Sequence, residues 1–385
     1  MPDVMYWRLS GFYFFYFASL GALIPYWGLY LKSQGFNAVE IGELIAIIMA
    51  TKIIAPNIWG WIADHTGRRM RIIRIASLLA ALSFCGVFIA HGYWWLALVM
   101  GVFSFFWNAA LPQFEATTLS HLGDETHRYS SIRLWGSIGF IVSVAGLGAV
   151  LDFTGTGLLP EVLVLLFAAI WFSSLAVPER AAGQQAMGHE PILTVLRRPA
   201  VISLLLVCFL IQASHGPYYT FYSLYLTDHG YSESAIGQLW ALGVVAEIGV
   251  FLRMHHWLPR FGARRLLLAA TLLTALRWLL LALFVDQPGI MIFVQTLHAA
   301  SFGVYHAVAI HLVHRQFVGR HQGRGQALYS SLSFGAGGAI GSLLAGYVWE
   351  GFGAQWMYAG AALTALLAGI VAWRGIREET MSVAP

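Results

Sequence analysis

Long apolar stretches alternate along the chain with short polar ones, and the polar ones collect glycine, arginine and proline. A helix needs roughly 20 residues to cross about 30 Å of hydrocarbon. By that measure the pattern predicts twelve spans, over 8–31, 39–62, 72–90, 94–120, 131–151, 158–176, 200–226, 235–254, 264–284, 288–313, 325–349 and 356–374. The runs are continuously apolar and do not alternate over short segments, which excludes a transmembrane β-barrel. The expected fold is all-α, a polytopic membrane protein of twelve transmembrane helices. The first span is too long for the apolar region of a signal peptide and takes part in the repeat described below, so it is expected to belong to the fold.

Composition sharpens this. Of 385 residues, 58% are hydrophobic and only 10% charged, where a soluble domain carries about a quarter charged residues. With the amino terminus in the cytoplasm, inner loops and helix ends hold nearly all the basic residues, among them Arg68, Arg69, Arg197, Arg198, Arg264 and Arg265, while Lys32 alone lies at an outer loop. That is the positive-inside asymmetry. It predicts a multi-pass protein of the bacterial inner membrane with both termini cytoplasmic. It also accounts for the net charge of +4 without nucleic acid as a partner. Cys85 and Cys208 both fall inside spans, so no disulfide framework is implied.

The chain repeats itself. "GFNAVEIGEL" from Gly35 returns as "GYSESAIGQL" from Gly230, an offset at which Ala18, Ser19, Gly21, Leu29, Tyr30 and Leu31 also meet identical residues. The basic turn "DHTGRR" at Asp64 meets "PRFGARR" at Pro259, and "YSSI" from Tyr129 is echoed by "YSSL" from Tyr329 at a slightly different offset. A series in constant register over two spans predicts a duplication in parallel orientation: a six-helix bundle over 1–177, a polar cytoplasmic linker over 178–199, and a second bundle over 200–385. This architecture resembles that of major facilitator transporters. "GWIADHTGRR" matches the superfamily's loop between spans 2 and 3 through Gly60, Asp64, Gly67, Arg68 and Arg69, departing from it at His65. The resemblance implies an inner-gate latch in which Asp64 docks on a facing helix N-terminus. For Arg71 and Arg74 topology alone is an equal explanation.

Ionisable groups inside a bilayer are costly and mark function. Counted along helices, Lys52, Glu247 and His215 lie roughly 16 Å from the outer ends of their spans, Arg277 about 13 Å and His298 about 12 Å. All five fall in one midplane layer, the level at which transporters of this architecture bind substrate. Lys52 and Glu247 are related by the repeat, so one half presents a cation where the other presents an anion; the alternatives are a snorkelling Lys52 and a Glu247 neutralised by Arg277. His298 and His306 share a broad face of the tenth span and, beside Glu247 and Arg277, form a candidate proton relay. Zinc is the competitor for these histidines, but no apt ligand pair is evident and no metal or cofactor is expected. Glu115 and Arg133 belong at the cytoplasmic rim, as an inner-gate ion pair or a static helix–helix bridge. Tyr26, Trp27, Tyr218 and Tyr219 lie in the related outer halves of spans 1 and 7, positioned to stack a flat substrate or to anchor the interface.

"IRLWGSIGF" at Ile132, "LWALGVVAEI" at Leu239, "LRW" at Leu276 and "QTLHAASFGVYH" at Gln295 resemble the 3-phenylpropionic acid permease family, a branch of the major facilitator superfamily distantly similar to lactose permease. The resemblance runs over essentially the whole chain. It implies proton symport of an aromatic propionate, and the match includes Arg133 together with Glu247, Arg277, His298 and His306, the four assigned to proton coupling; the family tolerates another cation at Lys52. By their level and their spans, Lys52, His215, Tyr218, Tyr219, Tyr26 and Trp27 are assigned toward substrate, and a monomer is expected. Sugar or nucleoside symport and drug/proton efflux are the alternatives, although "SIGFIVSVAGLGAVLDFTG" lacks the proline of the antiporter signature. An enzyme or sensor would need a nucleophile–base or nucleotide motif, or a long soluble loop, and the sequence has neither.

Overall fold

The computed structural model describes residues 3–180, 192–318 and 321–376. Among these, eleven helices are long and apolar enough to cross a membrane: Asp3–Ser33, Arg69–Phe88, Tyr93–Leu122, Thr126–Thr154, Thr156–Leu175, Pro199–Asp228, Glu233–Phe261, Ala263–Phe284, Pro288–Gln316, His321–Phe352 and Ala354–Gly375. The second helix, Ala38–Thr66, has the length to cross but carries Glu40, Glu43, Lys52 and Asp64. Counting it, each of the twelve expected spans is a helix, and ordinals below follow chain order. Side chains that water would drive inward stand exposed, Phe153 at 91% and Trp94 at 82%, as a lipid-facing surface requires. Of the 178–199 linker, 181–191 lie outside the described residues, and Ile192–Leu196 form a short helix. Of its described part, Glu179 accepts the backbone N–H groups of Met70 at 3.0 Å and Arg71 at 3.2 Å, capping the third span where Arg68 offers no side-chain cap.

The repeated phrase is a repeated turn. Gly35 and Gly230 end their helices with φ of 92° and 79°, a left-handed region where glycine has no Cβ penalty. Phe36 donates back to the Leu31 carbonyl and Tyr231 to the Leu226 carbonyl, completing the same helix stop twice. The next helix then starts on a side-chain cap. Asn37 accepts from the Glu40 N–H while Glu40 reaches back to the Asn37 N–H, a reciprocal capping box. In the second copy Ser232 accepts from the Ala235 N–H. The duplicated letters are those that fix chain reversal.

The chain divides into two compact units, the described residues of Met1–Gln184 with Tyr219–Ala241, and of Gln185–Tyr218 with Leu242–Pro385. In the first, the first span packs along the fifth and sixth, and the fourth along the second and third. The segment 219–241 joins this unit through close backbone approach. A Cβ on Gly148 would strike the Glu233 carbonyl, and one on Gly237 the Val144 carbonyl. The Tyr26 hydroxyl donates to Val144 O at 2.7 Å and approaches Glu233 O at 3.4 Å. Asp152 accepts the Ser234 N–H on both carboxylate oxygens at 3.2 Å. Gly237→Ala is therefore expected to destabilise the protein by about 1–3 kcal/mol, the usual cost of forcing atoms into a packed contact. Gly249→Ala, at a site with no atom within 4 Å, serves as the control. Melting temperatures in detergent check this: a fall for the first variant and none for the second.

In the second unit the ninth span packs along the twelfth and tenth. Two helices contain a π-helical stretch among the described residues, the tenth over Ala299–Val304 and the eleventh over Ser331–Gly337. Both contain Ser-Phe-Gly, as Ser301–Gly303 and Ser333–Gly335. Stretches of this kind widen a helix by one residue and cluster at functional sites.

Candidate functional site

The second unit buries one guanidinium completely. Arg277 is 0% exposed, and its acceptors are all neutral: His298 Nδ1 at 3.0 Å and Ser301 Oγ at 2.9 Å from Nη1, and Gln295 Oε1 at 3.3 Å from Nη2. The rings of Tyr218, at 4.2 Å from the guanidinium carbon, and Trp278, at 4.6 Å, flank it, adding cation–π attraction. Among the described residues no carboxylate lies within ion-pairing distance of Arg277. The alternative in which Arg277 neutralises Glu247 directly finds no ion pair between the two, and His298 approaches both.

Arginine has only donors, so Nδ1 of His298 must accept, and the proton of the neutral ring resides on Nε2. Nε2 points to Glu247 Oε2 at 3.5 Å. Glu247 in turn packs on Gly303, where a Cβ would stand 3.3 Å from its Cγ. The methylene stem of Glu247, from the eighth span, thus lies beside Gly303 in the π-helical stretch of the tenth. Arg277, His298 and Glu247 form one chain of charge, polarised imidazole and charge.

Helical spacing assembles the rest. Gln295, His298 and Ser301 follow at intervals of three along the tenth span, so all three turn to Arg277. Gln295 also accepts from the Tyr218 hydroxyl at 3.2 Å. His215, fully buried, engages the Ile211 carbonyl through Nδ1 at 2.7 Å and sets its ring edge-on to Trp278 at 5.0 Å. His306 pairs with the Tyr329 hydroxyl at 2.8 Å. Between the histidines stands Phe302, parallel to both, with ring centroids 5.5 Å from each. Sequence reading had named Arg277, His298, Glu247, His215 and Tyr218. It had missed Gln295, Ser301, Trp278 and Phe302, although "QTLHAASF" held three of them at helical spacing.

The first unit holds the remaining candidates, and several sit differently from expectation. Tyr26 and Trp27 are both 0% exposed. The Tyr26 hydroxyl is engaged by backbone carbonyls, and Trp27 stacks on Tyr30 at 4.8 Å. Neither presents a ring face to a ligand, because close helix packing encloses both. Tyr219 is half-buried, its ring near-parallel to that of Trp240 at 6.4 Å. Glu115 and Arg133 do not form the expected ion pair; the Arg133 guanidinium instead lies 3.8 Å over the ring of Phe17 and 5.7 Å from that of Tyr13. In an apolar helix bundle an aromatic face competes well for guanidinium. Lys52 is half-buried and makes no hydrogen bond or ion pair to any described residue. Beside it in sequence, Thr51 donates to Ser104 and accepts from Asn108, both at 2.9 Å.

At the inner loop, Gly67 closes the second helix with φ of 65°. Asp64, 66% exposed, pairs with Arg69 at 2.9 Å, and Arg68 is exposed. Gly60 lies against Gln113, whose Nε2 would be 3.4 Å from a Cβ there.

Among the described residues, twelve helices of spanning length, a Gly-x-x-x-Asp inner loop and a guanidinium buried at mid-helix are features of a membrane transporter. Over residues 6–360 the chain matches the model of the "MFS_1 like family", and it belongs to that family of the major facilitator superfamily. It is 31% identical over 376 residues, 94% of this chain and 96% of the relative, to the "Probable 3-phenylpropionic acid transporter" of Escherichia coli (strain K12). It is 28% identical to the "Maltose permease" of Geobacillus stearothermophilus, covering 88% of this chain and 86% of that one. The crystal structure of nucleoside transporter NupG superposes with a TM-score of 0.82 at 16% identity, over 97% of this chain and all of the other, a likeness of fold.

Proposed function

We propose that this protein carries a small aromatic carboxylate such as 3-phenylpropionate into the cell together with a proton. It does so as a monomer in the inner membrane, with both termini in the cytoplasm. The observation that carries the coupling is the Arg277–His298–Glu247 chain. Arg277 holds His298 Nδ1 as an acceptor, so a second proton cannot settle on that imidazole without breaking the arginine contact. Glu247 is left as the exchangeable site, charged or neutral according to its surroundings. Protonated Glu247 accompanies bound substrate; its proton leaves on the cytoplasmic side after the substrate does.

Lys52 supplies the counter-charge for the substrate carboxylate. A lysine ammonium has three donors, and in the described residues none of the three is engaged. Asp64, Arg68 and Arg69, with Gly60 and Gly67 shaping the turn, work the inner gate, with Glu115 and Arg133 nearby on the same bundle. The choice of substrate is supported by the relative that matches nearly the full length. Maltose permease and the putative nucleoside transporter of Escherichia coli (strain K12), at 28% and 25% identity, set the competing substrates to test. Purified protein in proteoliposomes is offered radiolabelled 3-phenylpropionate, maltose or uridine, with and without an inward pH gradient. Accumulation of 3-phenylpropionate alone, and only with the gradient, is the expected result. Accumulation of maltose or uridine in its place contradicts the reading.

A further inference from the structure

The second and eighth helices are repeats of one another in length and differ in what their inner ends carry. Ala38–Thr66 and Glu233–Phe261 both run for 29 residues. Gly67 and Gly262 then turn the chain with φ of 65° and 78°, so the register of the repeat holds to the inner end. There the second helix has Ile58, Trp61, Asp64 and His65 where the eighth has Arg253, His256, Pro259 and Arg260. Ile58 and Trp61 are exposed, an apolar surface suited to lipid. On the eighth helix Val245 and Leu252 are the exposed apolar residues of that kind. At 3.6 residues per turn they share one face with Arg253, His256 and Arg260, which lie toward its inner end.

Topology alone does not require this change. Basic residues in the loop suffice for the positive-inside asymmetry, and both copies have them, Arg68 with Arg69 and Arg264 with Arg265. Arg264 donates to the Trp373 carbonyl at 2.8 Å, and Trp373 is exposed, a residue type that marks the membrane interface. Arg260, four residues before Arg264, therefore stands near headgroup level. Arg253 lies about 10 Å farther into the helix, where a charge is costly without a counter-ion. The sequence has no acidic residue between Glu247 and Asp286. Arg253 makes no hydrogen bond, ion pair or ring contact with a described residue. Arg260 lies over its neighbour Phe261 at 5.3 Å, and His256 touches His255 with ring centroids 3.9 Å apart. All three are exposed.

We propose that Arg253, His256 and Arg260 form a headgroup site for an anionic phospholipid of the cytoplasmic leaflet. The lipid phosphate supplies the negative charge that the described protein does not. A guanidinium donates to two phosphate oxygens at once, and the long stem of Arg253 lets its head rise toward the interface. His256 lies between the two arginines on the same face and adds a ring N–H. The acyl chains run along Val245 and Leu252. The site stands apart from the transport reading, except that the orientation given there makes the leaflet cytoplasmic.

Native mass spectrometry of the full chain in a non-ionic detergent tests the site. Dioleoyl phosphatidylglycerol is the anionic probe and dioleoyl phosphatidylcholine the zwitterionic one. Wild-type protein is expected to bind the first about tenfold more tightly or better. Arg253→Gln with Arg260→Gln is expected to weaken phosphatidylglycerol by about 25-fold, near fivefold for each charge, and to leave phosphatidylcholine unchanged. Arg197→Gln with Arg198→Gln removes the same charge elsewhere on the inner side and is expected to keep the preference. Equal losses in the two double variants show charge attraction without a site and overturn it. So does a wild-type protein that binds the two lipids alike. Glycerol 3-phosphate in large excess is expected to displace no lipid; displacement assigns the stripe to a free phosphate compound in place of a lipid. Should the first double variant not fold, as judged by gel filtration, Arg260→Gln alone is read. A loss of about fivefold then supports the site, and no loss overturns it. No readout uses substrate or a pH gradient, so failure here is separate from failure of the transport reading.

Discussion

Glu247→Gln is expected to abolish accumulation of 3-phenylpropionate on a pH gradient while leaving exchange across the membrane within about twofold of wild type. Glutamine has the shape of a protonated glutamate and has no acidic proton to release to the cytoplasm. With one proton per substrate, wild-type protein concentrates substrate about tenfold for each unit of pH gradient, since tenfold corresponds to about 1.4 kcal/mol. The variant should reach only the external concentration. The amide still fits against Gly303 and the Nε2 edge of His298, so folding and binding are preserved. Counterflow of labelled against unlabelled 3-phenylpropionate separates the two functions: exchange persists and concentration does not. If the variant still concentrates substrate, the proton rides elsewhere, and His298 is the next group to examine.

Lys52→Met is expected to weaken binding of 3-phenylpropionate by roughly 10- to 100-fold, the equivalent of about 1.5–3 kcal/mol for a charge-assisted hydrogen bond. Methionine keeps the length and the apolar stem, and removes only the ammonium. Lys52 has no hydrogen bond or ion pair to a described residue, so no protein carboxylate is stranded by the change. A neutral analogue, 3-phenylpropionamide, should bind both proteins alike. Titration calorimetry in detergent measures the two ligands side by side. Equal loss for acid and amide would show that Lys52 supports the fold and does not recognise charge.

The fold was legible because its signals are local. Span length follows from apolar run length, and chain reversal from Gly35 with Asn37 and from Gly230 with Ser232, so the duplicated phrase announced the duplicated turn. The intramembrane charges were equally plain, since any ionisable residue in an apolar run stands out. What the letters hid was partnership across helices. Glu115 and Arg133 looked like a pair by charge, yet Phe17 of the first span takes the guanidinium. Tyr26 and Trp27 looked like a ligand platform by type, yet the carbonyl of Val144 and the ring of Tyr30 hold them. The π-helical turns in the tenth and eleventh spans left no mark in hydropathy, and without them the contact of Glu247 with Gly303 was not foreseeable. Gln295 was within reach of sequence reasoning, being three residues before His298, but a glutamine in an apolar run draws less notice than a charge.

A proton and an aromatic carboxylate that cross together through a site including Glu247 must move at the same time. The most direct measurement is the simultaneous movement of both: lightly buffered medium outside sealed proteoliposomes, a pH electrode, and a pulse of 3-phenylpropionate. The medium is expected to turn alkaline as the substrate enters, with about one proton per molecule; maltose and uridine are expected to produce no such change, and Glu247→Gln to abolish it. Entry of 3-phenylpropionate with no movement of protons, or proton movement that survives Glu247→Gln unchanged, would contradict coupling through this site.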